Sequence, residues 1–438
     1  MNNIKVLVLA GGDSSRFWPL ADKHSLKFLD KYLGYYCLSS LAKFGLTEVI
    51  VVVNKKNKLA FEALKREFTN LNIILVEQTD TRGMAGAIIS CANYIKGSPI
   101  VVVGPSDIYE EILVANFVDL LKTNPDGVLT GITVDGYFPG GYLSVNKDLV
   151  TRIVEKPSPT ELPSNIVSFV FHYFKNADLI LSAIERVKSI KDDVYEKAIE
   201  LLIDTGVKFK YLPYSGFWGY LKHPWQLLNM SDYFLDKIKD KKIKSNMIAK
   251  SASIKGSVWI DADVKILEGA MIIGPAFIGK GSVIGQNSLI RESMIGRGCV
   301  IGYSSEIVRS FIGDNCWFHM NYVGDSVVSD NVSLGAGAIF ANFRLDESVI
   351  KSTIAGKKIE TGRTKLGAIV GTDTRIGANS TIMPGIKIGK NSIVGAGVIL
   401  DVDLDDNKFC VLGSKKYIVK NNKLSISSSL RAGAVSKL

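Results

Sequence analysis

From residue 251 onward one position in six is held by isoleucine: Ile254, Ile260, Ile266, Ile272, Ile278, Ile284 and Ile290 follow one another at six-residue steps, often with glycine close behind. Neither the helical period nor strand alternation produces such a series. A fixed hexapeptide period predicts a parallel β-helix, with three short strands per turn around a triangular core. The series resumes at Ile376, Ile382, Ile388, Val394 and Leu400. Single coils cannot bury their own apolar faces, so they must stack, and the flat sides of the stack favour self-association. The expected assembly is a homotrimer, as left-handed prisms of this kind commonly form. Between the two series the steps shorten to five at Ile295 and Ile312, and Ala341 to Leu366 leaves the period altogether. These departures predict loops leaving the prism.

The first half follows another pattern. "IKVLVLAGG", "EVIVVVN", "NIILVEQ" and "PIVVVGPSD" read as buried strands, separated by amphipathic stretches such as Ala60 to Asn70 and Met84 to Ile95. This is α/β patterning with a mainly parallel sheet, whose ligands gather at the C-terminal strand ends. The expected organisation is a Rossmann-like nucleotidyltransferase-type domain over 1–235, a basic helical linker over 236–250, a β-helix over 251–405 and a tail over 406–438.

Composition narrows the function classes. The formal charge of +10 is scattered except for "KIKDKKIK", Lys237 to Lys244, which lacks the aromatic platforms of a nucleic-acid groove and reads as a solvated face. A positive field equally suits phosphorylated small molecules. Five cysteines without CxxC spacing predict neither a disulfide framework nor a zinc site, and fit a reducing cytoplasm. No apolar run approaches the roughly 18 residues of a membrane span, so no membrane partner is expected.

Leu9 to Leu20, "LAGGDSSRFWPL", runs from a strand into a glycine turn and then Arg16, with Lys27 further on. Glycines admit backbone N–H groups to phosphates, and paired cations neutralise a polyphosphate. The string resembles the sugar-1-phosphate nucleotidylyltransferase signature. The resemblance extends to Gln78 and Gly83 in "EQTDTRGMAGA", to Asp107 in "VVVGPSD" and to Glu155 and Lys156 in "IVEKP". It implies that Gly11, Gly12, Arg16 and Lys27 hold a nucleoside triphosphate and that Gln78 and Gly83 read its base. Asp107 would bind Mg²⁺, and Glu155 and Lys156 would meet the sugar phosphate. Four positions depart from the family pattern. Ser14 replaces a glycine, Met84 a threonine, and "GPSD" a simpler Gly-Asp; Tyr220 in "GFWGYLKHPW" stands where the family has an acidic or amide metal ligand. A neutral phenol is a poor Mg²⁺ ligand. Impaired nucleotidyl transfer is the expectation; rescue by Lys222 as a substitute cation is the lesser alternative.

The order of the two halves is similar to the bifunctional N-acetylglucosamine-1-phosphate uridylyltransferase/glucosamine-1-phosphate acetyltransferase family and its archaeal relatives. "FHMNYVGDS", Phe318 to Ser326, followed by "LGAGAIFANFRLD" and "TGRTKLGAIVG", carries that resemblance most specifically. Transfer of an acetyl group from acetyl-CoA to an amino-sugar 1-phosphate needs the amine neutral, which a base of pKa near 7 provides. The resemblance implies His319 as that base, Tyr322 on the sugar phosphate and Asn342 on the amino sugar. Arg344, Lys351, Arg363 and Lys365 on the excursion would meet sugar phosphate or acetyl-CoA. Val308 occupies the place of a sugar-binding lysine, with Arg309 adjacent, and Ser348 stands where archaeal relatives can carry lysine. The competing readings are a nucleotidylyltransferase whose prism only trimerises, and a silent regulatory or scaffold homologue.

Overall fold

Val6, Leu7 and Val8 are all fully buried, yet Val6 and Val8 join one apolar core while Leu7 joins another. Successive side chains of a strand point to opposite faces, so this strand lies inside a sheet covered on both sides. The computed structural model, which describes residues 4–413 and 417–422, divides into two compact units. The first contains the described residues up to Asp13 together with Tyr32–Tyr220, and the second contains Ser14–Lys31 together with the described residues from Leu221 onward.

The first unit is built on a nine-stranded sheet in the order Asn72–Glu77, Glu48–Val53, Lys5–Leu9, Ile100–Val103, Ile166–Phe174, Gly127–Thr133, Phe209–Tyr214, Leu149–Glu155 and Gly141–Asn146. The first four strands are parallel, as the buried-strand runs predicted. The remainder is mixed. Ile166–Phe174 enters antiparallel to both Ile100–Val103 and Gly127–Thr133, and strand direction leaves no trace in local apolar pattern. Helices Leu33–Lys43, Lys58–Glu67 and Glu111–Leu121 help cover one face; Gly83–Ser90, Ala177–Arg186 and Val194–Asp204 help cover the other.

The second unit is the parallel β-helix. Three ladders stack Ile272, Ile290, Ile307, Val323, Phe340, Ile382 and Leu400 in one column, Ile260, Ile278, Ile295, Ile312, Val328, Val370 and Ile388 in a second, and Ile266, Ile284, Ile301, Phe318, Leu334, Ile376 and Val394 in the third. All are buried in one continuous core. Asn287, Asn315, Asn331, Asn379 and Asn391 take left-handed backbone at the corners, a conformation asparagine tolerates better than branched residues. Residues 341–366 leave the prism as expected and contain a hairpin, Lys351–Ile354 against Lys357–Glu360.

Two expected limits change. Residues 236–250 are not a helical linker: helix Gln226–Asp236 ends, and Lys242–Ile243 pairs in parallel with Trp259–Ile260, so the prism begins there. The pairing satisfies backbone groups of the first complete coil, while Lys242 lies over the Trp259 ring at 3.9 Å. At the other end the prism passes residue 405, since Lys408–Leu412 pairs with Ile393–Val394 and with Tyr417–Asn421. The "SISSSLRAGAVSKL" segment lies outside the described residues.

Ser14–Lys31 packs on this second unit. The Trp18 indole donates to Asp406 Oδ1 at 2.8 Å, the Phe28 ring lies 4.9 Å from Phe234 and 5.6 Å from Phe311, and Arg297 pairs with Asp30.

Candidate active sites

Phe318 occupies an ordinary inward position between Ile301 and Leu334, but the next inward residue, Val323, follows after five residues instead of six. Asn321 turns inward to close the shortened link. Its Oδ1 accepts from the His319 backbone N–H at 2.7 Å, and its Nδ2 donates to the Gly335 and Ala338 carbonyls at 2.8 and 3.0 Å. Ser305 Oγ adds a bond to the His319 carbonyl at 2.5 Å. The backbone of His319 is therefore fixed while its imidazole stays exposed, without a hydrogen-bond partner among the described residues. Asn321 is thus a structural member of the string.

The strand Tyr322–Gly324 follows, and at its far end sits a polar cluster. Asp325 is 1% exposed. Its carboxylate accepts from Arg309 Nε and Nη2, both at 2.7 Å, and from Asn342 Nδ2 at 2.5 Å. The bidentate pair raises the Arg309 guanidinium above its ordinary pKa, although partial burial opposes it. Asn342 also bonds the Tyr322 hydroxyl, whose pKa is raised chiefly by burial and secondarily by Glu306. A side chain at Gly324 would come within 2.6 Å of both Asn342 Nδ2 and the Tyr322 oxygen, so glycine leaves room for the pair. Tyr322 and Asn342 are therefore brought together; His319 lies three residues before Tyr322, on the connection that leads into the same short strand. Asp325 stood in the quoted string without a role.

The excursion cations are mostly engaged. Arg344 pairs with Asp346 at 2.5 Å and Lys351 with Glu360 at 3.2 Å. Arg363 donates to Asn229 Oδ1 at 2.5 Å and to the Lys365 carbonyl at 3.2 Å. Lys365 is exposed and has no ion pair among the described residues.

In the first unit, Gly11, Gln78 and Gly83 converge. Gln78 Nε2 donates to the Asp80 and Gly83 carbonyls at 2.7 and 3.1 Å, and a Cβ on Gly11 would lie 1.9 Å from Gln78 Oε1. Asn54 reaches the Gly12 carbonyl at 2.8 Å and Asn57 that of Ala10 at 2.8 Å, two loop-fixing residues that motif matching missed. Glu155 and Lys156 pair at 2.6 Å. Beside them Glu196 is buried, and its carboxyl is pushed up to about 8 by burial and then by the Glu155 charge.

Asp107 accepts from the Trp218 indole at 3.3 Å. Tyr220 packs against Trp218 and edge-on to Phe138, each at 5.0 Å between centroids, and burial raises its phenol pKa. It is an aromatic packing residue and stays neutral. Among the described residues no group of three or more His, Cys, Asp or Glu side chains could hold a metal. Arg16 and Lys27 belong to the second unit, where the Lys27 ammonium pairs with Asp314 at 2.7 Å.

These features agree with the comparisons. Residues 5–235 match the nucleotidyl transferase family model, and 367–401 match the hexapeptide repeat of succinyl-transferase. A bifunctional sugar-1-phosphate nucleotidylyltransferase/acetyltransferase of Sulfurisphaera tokodaii is 31% identical over 93% of this chain and 99% of its own length. The chain belongs to this bifunctional transferase family. The bifunctional protein GlmU of Methanococcus maripaludis is 30% identical over 94% of this chain and 98% of its own. As a member of the family, the chain is an enzyme with a nucleotidyltransferase unit and a hexapeptide-repeat unit. No described helix is long and apolar enough to cross a membrane.

Proposed function

We propose that this protein transfers an acetyl group from acetyl-CoA to the amine of an amino-sugar 1-phosphate resembling glucosamine 1-phosphate, at the break that follows Phe318. The observation that carries the reading is the exposed His319 imidazole, without a hydrogen-bond partner among the described residues, on a backbone fixed by Asn321 and Ser305. A neutral imidazole takes the proton that makes the sugar amine nucleophilic. The amine attacks the thioester carbonyl carbon, the C–N bond forms, and the C–S bond breaks to release the CoA thiolate. His319 returns its proton to the departing thiolate, and the nitrogen's second proton passes to solvent water as the amide forms. Acetyl-CoA would supply the activated acetyl group; Arg344, Lys351, Arg363 and Lys365 border the excursion where its phosphates or the sugar phosphate would be held. His319 lies three residues before Tyr322, and the Tyr322 hydroxyl and Asn342 meet beside Gly324. A homotrimer would let neighbouring copies complete each site around these residues.

Nucleotidyl transfer by the first unit is proposed to be weak. Its support is Tyr220, a neutral aromatic contact in the position of a metal ligand. Mg²⁺ bound through Asp107 and substrate phosphates would supply charge neutralisation at the reacting phosphate. Five buried free thiols support a cytoplasmic location. The deciding experiment measures acetyl-CoA consumption and pyrophosphate release separately, across amino-sugar 1-phosphates and nucleoside triphosphates. Acetyl transfer well above pyrophosphate release is expected; pyrophosphate release without acetyl transfer overturns the reading.

A further inference from the structure

Asn342 can present either its oxygen or its nitrogen to a ligand, and its neighbours decide which. Asp325 is a buried carboxylate and can only accept hydrogen bonds. Facing it at 2.5 Å, Asn342 must offer its Nδ2. The second neighbour, Tyr322, is bonded to the same amide. With the nitrogen committed to Asp325, Asn342 Oδ1 is left as an acceptor. An acceptor is the group that receives an N–H from an amine or an O–H from a sugar.

Arg309 is fixed by the same carboxylate. Its Nε and Nη2 are both spent on Asp325, leaving Nη1 with no hydrogen-bond partner among the described residues. The arginine is about a quarter exposed, the aspartate hardly at all. One buried group thus sets the orientation of two side chains that reach toward solvent. Left-handed backbone at both Arg309 and Asp325 stacks them along one corner, where the Asp325 N–H donates to the Val308 carbonyl at 2.9 Å.

We infer that Asp325 is a positioning residue of the acyl-transfer site, holding Asn342 with its carbonyl oxygen toward the amino-sugar acceptor. The inference rests on the acetyl-transfer reading above. Asp325→Asn tests it because the change keeps shape and reverses polarity. The new amide still offers an oxygen to Arg309, but its Nδ2 then faces Asn342 Nδ2, and Asn342 must turn over. A donor replaces the acceptor, and the sugar amine or hydroxyl loses its partner.

The measurement uses the full-length assembled protein and determines kcat and both KM values for acetylation, with glucosamine 1-phosphate as probe and thermal unfolding in parallel. Wild-type activity is established first: if it acetylates no amino-sugar 1-phosphate, the acetyl-transfer reading fails, and this inference with it. With wild-type activity present, Asp325→Asn is expected to raise the acceptor KM by roughly tenfold or more, the worth of a hydrogen bond to a polar group, with acetyl-CoA KM within about twofold. Because an altered buried pair can also weaken folding, the reciprocal exchange Asp325→Asn/Asn342→Asp is measured beside it. The exchange restores a donor–acceptor match and leaves the second carboxylate oxygen at position 342 as an acceptor, so it should recover the unfolding midpoint and bring the acceptor KM back toward wild type. An unchanged acceptor KM in Asp325→Asn overturns the inference while leaving the acetyl-transfer reading standing. So does activity that falls only in proportion to folded protein, or an acceptor KM in the exchange that stays as high as in Asp325→Asn although the unfolding midpoint recovers.

Discussion

Val323 stacks directly on Ile307 in one ladder of the prism, as Ile290 does on Ile272, although its coil is two residues shorter. The core column continues without interruption through the shortened coil. What the shortening alters is the connection, where Asn321 must turn its amide inward and His319 is left on the outside. The break therefore leaves an exposed imidazole without interrupting the core column.

The prism should assemble as a trimer. Ile339 and Ile399 lie on the outer side of the sheet that carries Tyr322 and are 41% and 62% exposed in the single chain. Light scattering at micromolar concentration should give three times the chain mass, and Ile339→Asp/Ile399→Asp should shift the protein toward monomer. A monomeric wild type would remove the shared site.

Tyr220→Asp should increase Mg²⁺-dependent pyrophosphate release by roughly tenfold and leave acetyl transfer nearly unchanged. The substitution places a carboxylate at the altered metal position, while loss of the aromatic contacts should cost about 1–3 kcal/mol of stability. A wild type that already releases pyrophosphate at about 10 per second contradicts the impaired-site reading.

Acid should destabilise the first unit through His172. This imidazole is buried, bonded to Tyr195 at 2.9 Å and Ser168 at 3.1 Å, and burial lowers its pKa to about 3. The folded value lies below the unfolded one, so the neutral form is favoured by folding. Its contribution is complete above the unfolded value of about 6.5 and is lost as pH falls from there toward 3. The slope is at most about 1.4 kcal/mol per pH unit. Denaturant unfolding of wild type and His172→Gln between pH 7 and 4 should show the shallower acid loss in the variant; equal slopes would remove His172 as the cause.

Much of this was legible in sequence because it is periodic or local. Ile254 to Ile290 identify the prism through their phase, and "IKVLVLAGG" with "EVIVVVN" identify two neighbouring strands. The placement of Ser14–Lys31 was not legible. Trp18 meets Asp406, and Lys27 meets Asp314, across hundreds of residues, contacts for which local pattern gives no sign. Lys242–Ile243 was hidden for another reason: its basic composition masks a strand that the first full coil recruits. In the candidate site, His319 and Tyr322 could be named from "FHMNYVGDS" and Asn342 from "LGAGAIFANFRLD". Asp325 could not, because its importance lies in the two partners that folding brings to it.

The most direct measurement is the pH dependence of acetyl transfer in wild type and His319→Ala. The wild-type rate should fall on the acidic side as the imidazole becomes protonated. The variant should lose roughly 10² to 10⁴ in rate, the scale of a removed general base, together with that acidic limb, and keep its assembly and any nucleotidyl transfer. Wild-type acetylation by His319→Ala with every accepted amino sugar, or an unchanged acidic limb, would contradict the assignment and leave "FHMNYVGDS" a loop without a catalytic base.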